Sequence, residues 1–119
     1  MPKQQRGNTL MNVVLNNKKY QVRFEEYADN SNVAILVVKP KHGKKAEELV
    51  ATATVNTEMA INSDFVAIKG WSENTGMEKA LIEADVICPK PVGAIPCGMA
   101  IAYVFELTTN AKKAKDNQE

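Results

Sequence analysis

Histidine occurs once in this sequence and cysteine twice. These scarcities exclude a good deal. A structural zinc site takes four Cys or His ligands at short spacings. His42, Cys88 and Cys97 supply three, and the nine-position step between the cysteines is not a zinc-knuckle spacing. Two cysteines build no disulfide scaffold, and in a cytosolic chain they are expected to be free thiols acting as small apolar groups. A Cys–His pair would have to use His42 as its base. That residue stands among Lys39, Lys41, Lys44 and Lys45, whose charge opposes the imidazolium such a pair relies on. It reads as an exposed loop histidine.

Charge of one sign is lacking too. Fifteen basic and 14 acidic residues leave a formal charge of +1, so any nucleic-acid contact must come from a local patch. No apolar run approaches the roughly 20 residues that span a bilayer. Met1 to Asn8 is polar and basic, without the apolar centre of a secretory signal, which places the chain in the cytosol as an expectation. There is no phosphate-binding glycine loop: Gly70 and Gly76 precede a helix, but at the wrong spacing and without the P-loop lysine. The carboxylates, Glu25, Glu26, Glu47, Glu48, Glu73, Glu78, Glu83 and Asp85, have no obvious apolar setting to raise a pKa for general-acid work. No catalytic set, cofactor or metal is implied, and a binding role is expected.

What is present fits one α+β domain. The 119 residues suffice for a single core. Residues 1–10 read as a flexible lead, 11–109 as the folded domain and 110–119 as a flexible polar tail. Asn16-Asn17 marks a hairpin turn. Tyr20, Val22 and Phe24 alternate with Gln21, Arg23 and Glu25, the period of a half-buried strand. Val33 to Val38 is a continuous apolar run that suits a central strand, ended by Pro40. Strands are also expected over Leu49–Asn56, Asp64–Lys69 and Met99–Leu107, the last placing Met99, Ile101, Tyr103, Phe105 and Leu107 on one face. The three prolines of the 88–97 segment, Pro89, Pro91 and Pro96, argue against a helix or a central strand there. Met77, Ala80, Leu81 and Ala84 recur at helical spacing, and Thr75 stands three residues before Glu78, as in a capping box. The expectation is a mainly antiparallel sheet of about five to six strands with one short helix packed on a face.

Two stretches are candidates for contact. Trp71, Ser72, Glu73, Asn74 and Met77 bring an aromatic and several hydrogen-bonding groups to a helix start, where free amides can hold an anion. On structural grounds alone, Trp71 fills the sheet–helix corner and the polar groups cap the helix. Lys39, Lys41, Lys44 and Lys45 form a basic loop able to meet phosphates or an acidic face, without the interleaved aromatics that favour single strands. The exposed edge of the Asp64–Lys69 strand would pair two copies into a dimer.

The segment from Phe65 to Ile87, in which Ser72-Glu73-Asn74-Thr75-Gly76-Met77 leads into Ala80-Leu81-Ile82-Glu83-Ala84, resembles a family of small bacterial and phage proteins, domain-of-unknown-function family 4313. Tyr20, Val22, Phe24, Tyr27 and Ala28, and Ala53 to Asn56, echo its earlier strands. The likeness covers roughly Met11 to Leu107. Asp85 departs from it where a helix-ending glycine is common, and the proline–cysteine arm replaces a shorter loop. The resemblance carries no activity. It implies a phage or other mobile element as context, and a role in occupying a host protein, such as a defence complex, or sequestering a ligand. Nucleic-acid or nucleotide binding through the 39–45 loop and the 72–76 helix start is the alternative.

Overall fold

The structure, a computed structural model, describes residues 11–40 and 43–118. The 1–10 lead, Lys41, His42 and Glu119 lie outside the described residues. Asn16 and Asn17 take φ of 51° and 65°, the pair of left-handed residues a type I′ turn requires. They join β1 (Met11–Leu15) to β2 (Lys18–Glu26). β3 (Val33–Lys39) and β4 (Glu48–Thr52) continue the meander, giving a four-stranded antiparallel sheet in the order β1-β2-β3-β4. β3 is central and buried on both faces, as its unbroken apolar run requires.

The chain then changes sheets. Ala53 N–H still donates to Ile35 of β3, at 2.8 Å, but its carbonyl accepts from Lys69. Val55 N–H donates to Ala67. Thr54 is buried at this crossing, its hydroxyl accepting from Ile35 N–H and bonding Tyr27. Residues 53–55 therefore run alongside β5 (Phe65–Ile68), the first strand of a three-stranded antiparallel sheet that β6 (Gly93–Cys97) and β7 (Ala100–Glu106) complete in the order β5-β7-β6. The expected free edge at Asp64–Lys69 is thus occupied on both sides, by β7 (Ala100–Glu106) and by the 53–55 crossing.

Two further elements depart from expectation. Gly93–Cys97 forms β6, hydrogen-bonded to β7. It is an edge strand, where a proline's missing N–H is tolerated. The 110–119 stretch is largely helical: α2 spans Thr109–Asn117, and a short α1 spans Met77–Glu83. Thr108 caps α2 by accepting from Ala111 N–H at 3.0 Å. Ala111 and Ala114 are buried, and the Gln118 amide reaches Phe24, accepting from its N–H at 2.8 Å and donating to its carbonyl. Phe24 lies past Met11↔Val22, the last β1–β2 pair among the described residues, and the Gln118 amide bonds its backbone on that side.

The main core gathers Val22 and Phe24 from β2, Ile35 and Val37 from β3, Ile68 from β5, Leu81 from α1, and Leu107. A second, smaller cluster of Ala67, Ala102 and Val104 sits on the opposite face of the three-stranded sheet. Ile61 helps to cover it. The segment carrying Ile61 is pinned by buried Asn32, which donates to Met59 and accepts from Ile61 N–H at 2.7 Å. Among the described residues, no helix is long and apolar enough to cross a membrane.

Candidate binding cleft

Trp71 has extended backbone, and Ser72 follows at φ 59°. This left-handed residue turns the chain out of the second sheet into a 3-10 turn, Ser72–Asn74. Gly76, at φ 92°, turns it again and starts α1. Positive φ is strained for serine and free for glycine. Gly76 is the N-cap, so the expected capping box does not form. Thr75 Oγ1 instead donates back to the Ser72 carbonyl at 2.9 Å. Glu78 lies against Gly70, where a Cβ would come within 2.9 Å of its Oε2. Burial there pushes the Glu78 carboxyl up from its ordinary range.

Asp85 closes the same helix from the other end. It takes the left-handed position at φ 63°, while Val86 N–H reaches Leu81 and Asp85 N–H reaches Ile82, the paired bonds of a Schellman cap. The aspartate is held there by α2. Its carbonyl accepts from Thr108 Oγ1 and its carboxylate from Asn110.

These turns bring Glu73, Asn74 and Met77 to one side of an open cleft of about 470 Å³. The opposite wall is the β1–β2 hairpin, with Val14, Leu15, Asn16, Asn17 and Tyr20, and β4 adds Val50 and Ala51. Leu15, Tyr20, Ala51, Met77 and Ala80 make its apolar part. Glu73 and Glu83 stand at the rim, each beside a lysine: Lys69 Nζ lies 2.6 Å from Glu73 and Lys79 Nζ 4.0 Å from Glu83. The hydrogen bond from Lys69 holds the Glu73 carboxyl below the ordinary range. Buried Asn74 donates to the Thr52 carbonyl at 2.7 Å and ties the cleft wall to the end of β4. The lining thus offers apolar contact, amide and hydroxyl groups, and ion-paired charge. That chemistry suits holding a partner surface.

No protein-family model, curated protein or solved structure matches this chain.

The other candidates fall elsewhere. Trp71 is half-buried on the second cluster with Ala67, Ala102 and Val104, not in the corner beneath α1. Ser72 is exposed and does not line the cleft. Lys39, Lys44 and Lys45 are exposed beyond it, and Lys41 lies outside the described residues. The hairpin wall, Val14 to Tyr20, was not singled out from sequence. Its signals in the sequence are local, the Asn16-Asn17 turn and the alternation from Tyr20, and neither says what the hairpin folds against.

Cys88 and Cys97 are both half-buried free thiols. Cys88 bonds Glu106 at one end of β7 and Cys97 pairs with Ala100 at the other. Six residues of strand separate those positions by roughly 20 Å, too far for a disulfide. Among the described residues, no group of three His, Cys, Asp or Glu side chains is placed to hold a metal ion.

Proposed function

We propose that this protein works by binding a partner protein in the cleft between the β1–β2 hairpin and α1. Following the family resemblance, the partner is a host protein met by a phage or other mobile element, such as a component of a defence complex. The observation that supports this reading is the convergence of Glu73, Asn74 and Met77 on one cleft with apolar lining and ion-paired rim. Its volume falls in the range of binding clefts, roughly 300–1,000 Å³, and its open form admits a protruding side chain or loop. The test is affinity capture from host lysate with the wild type and with Val14→Glu/Val50→Glu, two exposed wall positions. A host protein captured by the wild type and lost by the variant is the expected result. Equal capture by both would remove the cleft from the interaction.

A second reading has its own support. β2 begins with Lys18 and Lys19, β3 ends at Lys39, and Lys44 and Lys45 follow in the connecting loop. The pairing Gln21↔Val38 sets the start of β2 beside the end of β3, so five exposed lysines share one end of the sheet. Such a patch would meet phosphates, with binding that falls steeply as salt rises. Fluorescence anisotropy with single- and double-stranded probes at low salt tests it. Lys44→Glu/Lys45→Glu should weaken any signal at least about tenfold, by the loss of two phosphate contacts. A flat response into the tens of micromolar range, about 10–50 µM, ends this reading.

A further inference from the structure

The β6–β7 hairpin is apolar on both faces, and only one face is covered. Ala94 stands opposite Tyr103 and Pro96 opposite Ile101, so these four share a face. Ala102 and Val104 alternate onto the other face, where Trp71 and Ile95 help to bury them. Among the described residues the first face has no such cover: Ile101 is 50% and Tyr103 40% exposed, and Val92 beside them is 60% exposed. Met99, at the hairpin tip after Gly98, is wholly exposed. From Val92 to Phe105 there is no charged residue, and the Tyr103 hydroxyl is the only strong hydrogen-bonding side chain. Phe105 and Leu107, on the same side of β7, are buried in the main core. The strand therefore carries the core's apolar face out beyond the core.

We propose that this face is the interface of a homodimer in which two β6–β7 hairpins stack about a twofold axis. Val92, Ala94, Pro96, Met99, Ile101 and Tyr103 together expose roughly 500 Å² of mostly apolar surface, near the upper end for the largest patch of a monomer. Complete burial of two such patches would remove at most roughly 1,000 Å², the floor for a specific interface and in the range of a weak to moderate dimer. A second copy is the occupant that chemistry favours. The face carries no charge pattern to select a different chain, and a twofold axis sets each apolar patch against an identical one. Stacking of faces, not pairing of edges, is the mode. Pro96 removes a donor from the β6 edge, and the Asp64–Lys69 edge is already occupied.

Sedimentation velocity from about 1 to 100 µM, the range in which a weak to moderate dimer dissociates, tests the proposal. Wild type should shift from monomer to dimer across this range. Ile101→Lys and Met99→Lys, both at exposed positions, should weaken association at least about 100-fold, since each places an unpaired charge in the interface. Their circular dichroism and melting should stay native. Val14→Lys, on the cleft wall, should dimerise as wild type does, which keeps this test separate from that of the cleft. Wild type that stays monomeric throughout overturns the proposal, as does a dimer that both lysine variants leave intact. Monomeric wild type that co-sediments with phosphatidylcholine vesicles also overturns it and assigns the face to lipid.

Discussion

In β2, Val22 and Phe24 point into the core while Arg23 and Glu25 point away from it; in the β6–β7 hairpin no such division exists. The outer face of β2 is dressed in charge. Arg23 lies 2.6 Å from Glu47 and 3.8 Å from Glu25, and its guanidinium pKa is raised, chiefly by the Glu47 hydrogen bond. The hairpin has Ala94, Pro96, Ile101 and Tyr103 where that dressing would be. Folding alone does not call for this. An antiparallel hairpin with one buried face is served as well by polar residues on the other. β2 thus divides core from solvent residue by residue, whereas the β6–β7 hairpin leaves one apolar face exposed, the face proposed above as a dimer interface.

The sharpest way to break this comparison is to truncate one isoleucine in each region. Ile35 is fully buried in the main core, whereas Ile101 is half exposed. Ile35→Ala should cost about 3–4 kcal/mol through lost transfer energy and the cavity left behind, a fall of about 2 M in the urea midpoint. Ile101→Ala, measured at a concentration where the protein is monomeric, should cost less than about 0.5 kcal/mol. Similar losses at the two positions would mean that the hairpin face is covered within the monomer.

A second substitution tests whether α2 belongs to the stable region. Ala111 is fully buried, and Gln118 completes the hydrogen bonding of Phe24. Ala111→Asp should cost about 2–3 kcal/mol, because a carboxylate is forced into an apolar site. Amide exchange over Lys112–Lys115 should rise with it. Unchanged exchange and stability would show that α2 contributes nothing to the sheet it lies against. Little in the sequence announces this helix. Its inward stripe is two alanines, too weakly apolar to register as a period, and its cap, Thr108, looks like any loop threonine.

The third change falls where the two regions meet. Asn74 holds the Thr52 carbonyl at the point where the chain leaves the first sheet for the second. Asn74→Ala should cost about 1–2 kcal/mol for the lost bond and the stranded carbonyl. Partner capture should weaken as well, since the same bond positions the cleft wall. Loss of stability with full capture would separate Asn74 from the site. The sequence marked Glu73, Asn74 and Met77 by their setting at a helix start, but not their role. Alternation at Tyr20, Val22 and Phe24 and the Asn16-Asn17 turn are local signals, and they suffice for β1, β2 and the hairpin. The sheet crossing at 53–55 is a tertiary event: Thr54 bonds Ile35, nineteen residues away, and nothing local forecasts it. The capping box fails for a similar reason, because Gly76, in the left-handed conformation, takes the N-cap position that Thr75 would have filled.

The smallest effect is expected at the cleft rim. Glu73 is exposed and paired with Lys69 four residues earlier, a geometry that contributes little to stability. Glu73→Gln should lower Tm by less than about 2 °C at pH 7. Its pH dependence has a definite sign. The Lys69 bond, with smaller help from its own backbone and Ser72, lowers the folded pKa of Glu73. A lowered carboxylate contributes stability above its unfolded pKa and loses it as pH falls through the folded one. Wild type and variant should therefore differ most near neutrality and converge well below the ordinary carboxylate range. A gap that widened on acidification would reverse the sign and dismiss the Lys69–Glu73 pair as a stabilising contact. Partner capture gives the complementary readout: if the rim charge matters to binding, Glu73→Gln will change capture far more than it changes Tm. That split would set Glu73 apart from the charged outer face of β2, where Arg23 and Glu47 hold one part of the fold to another.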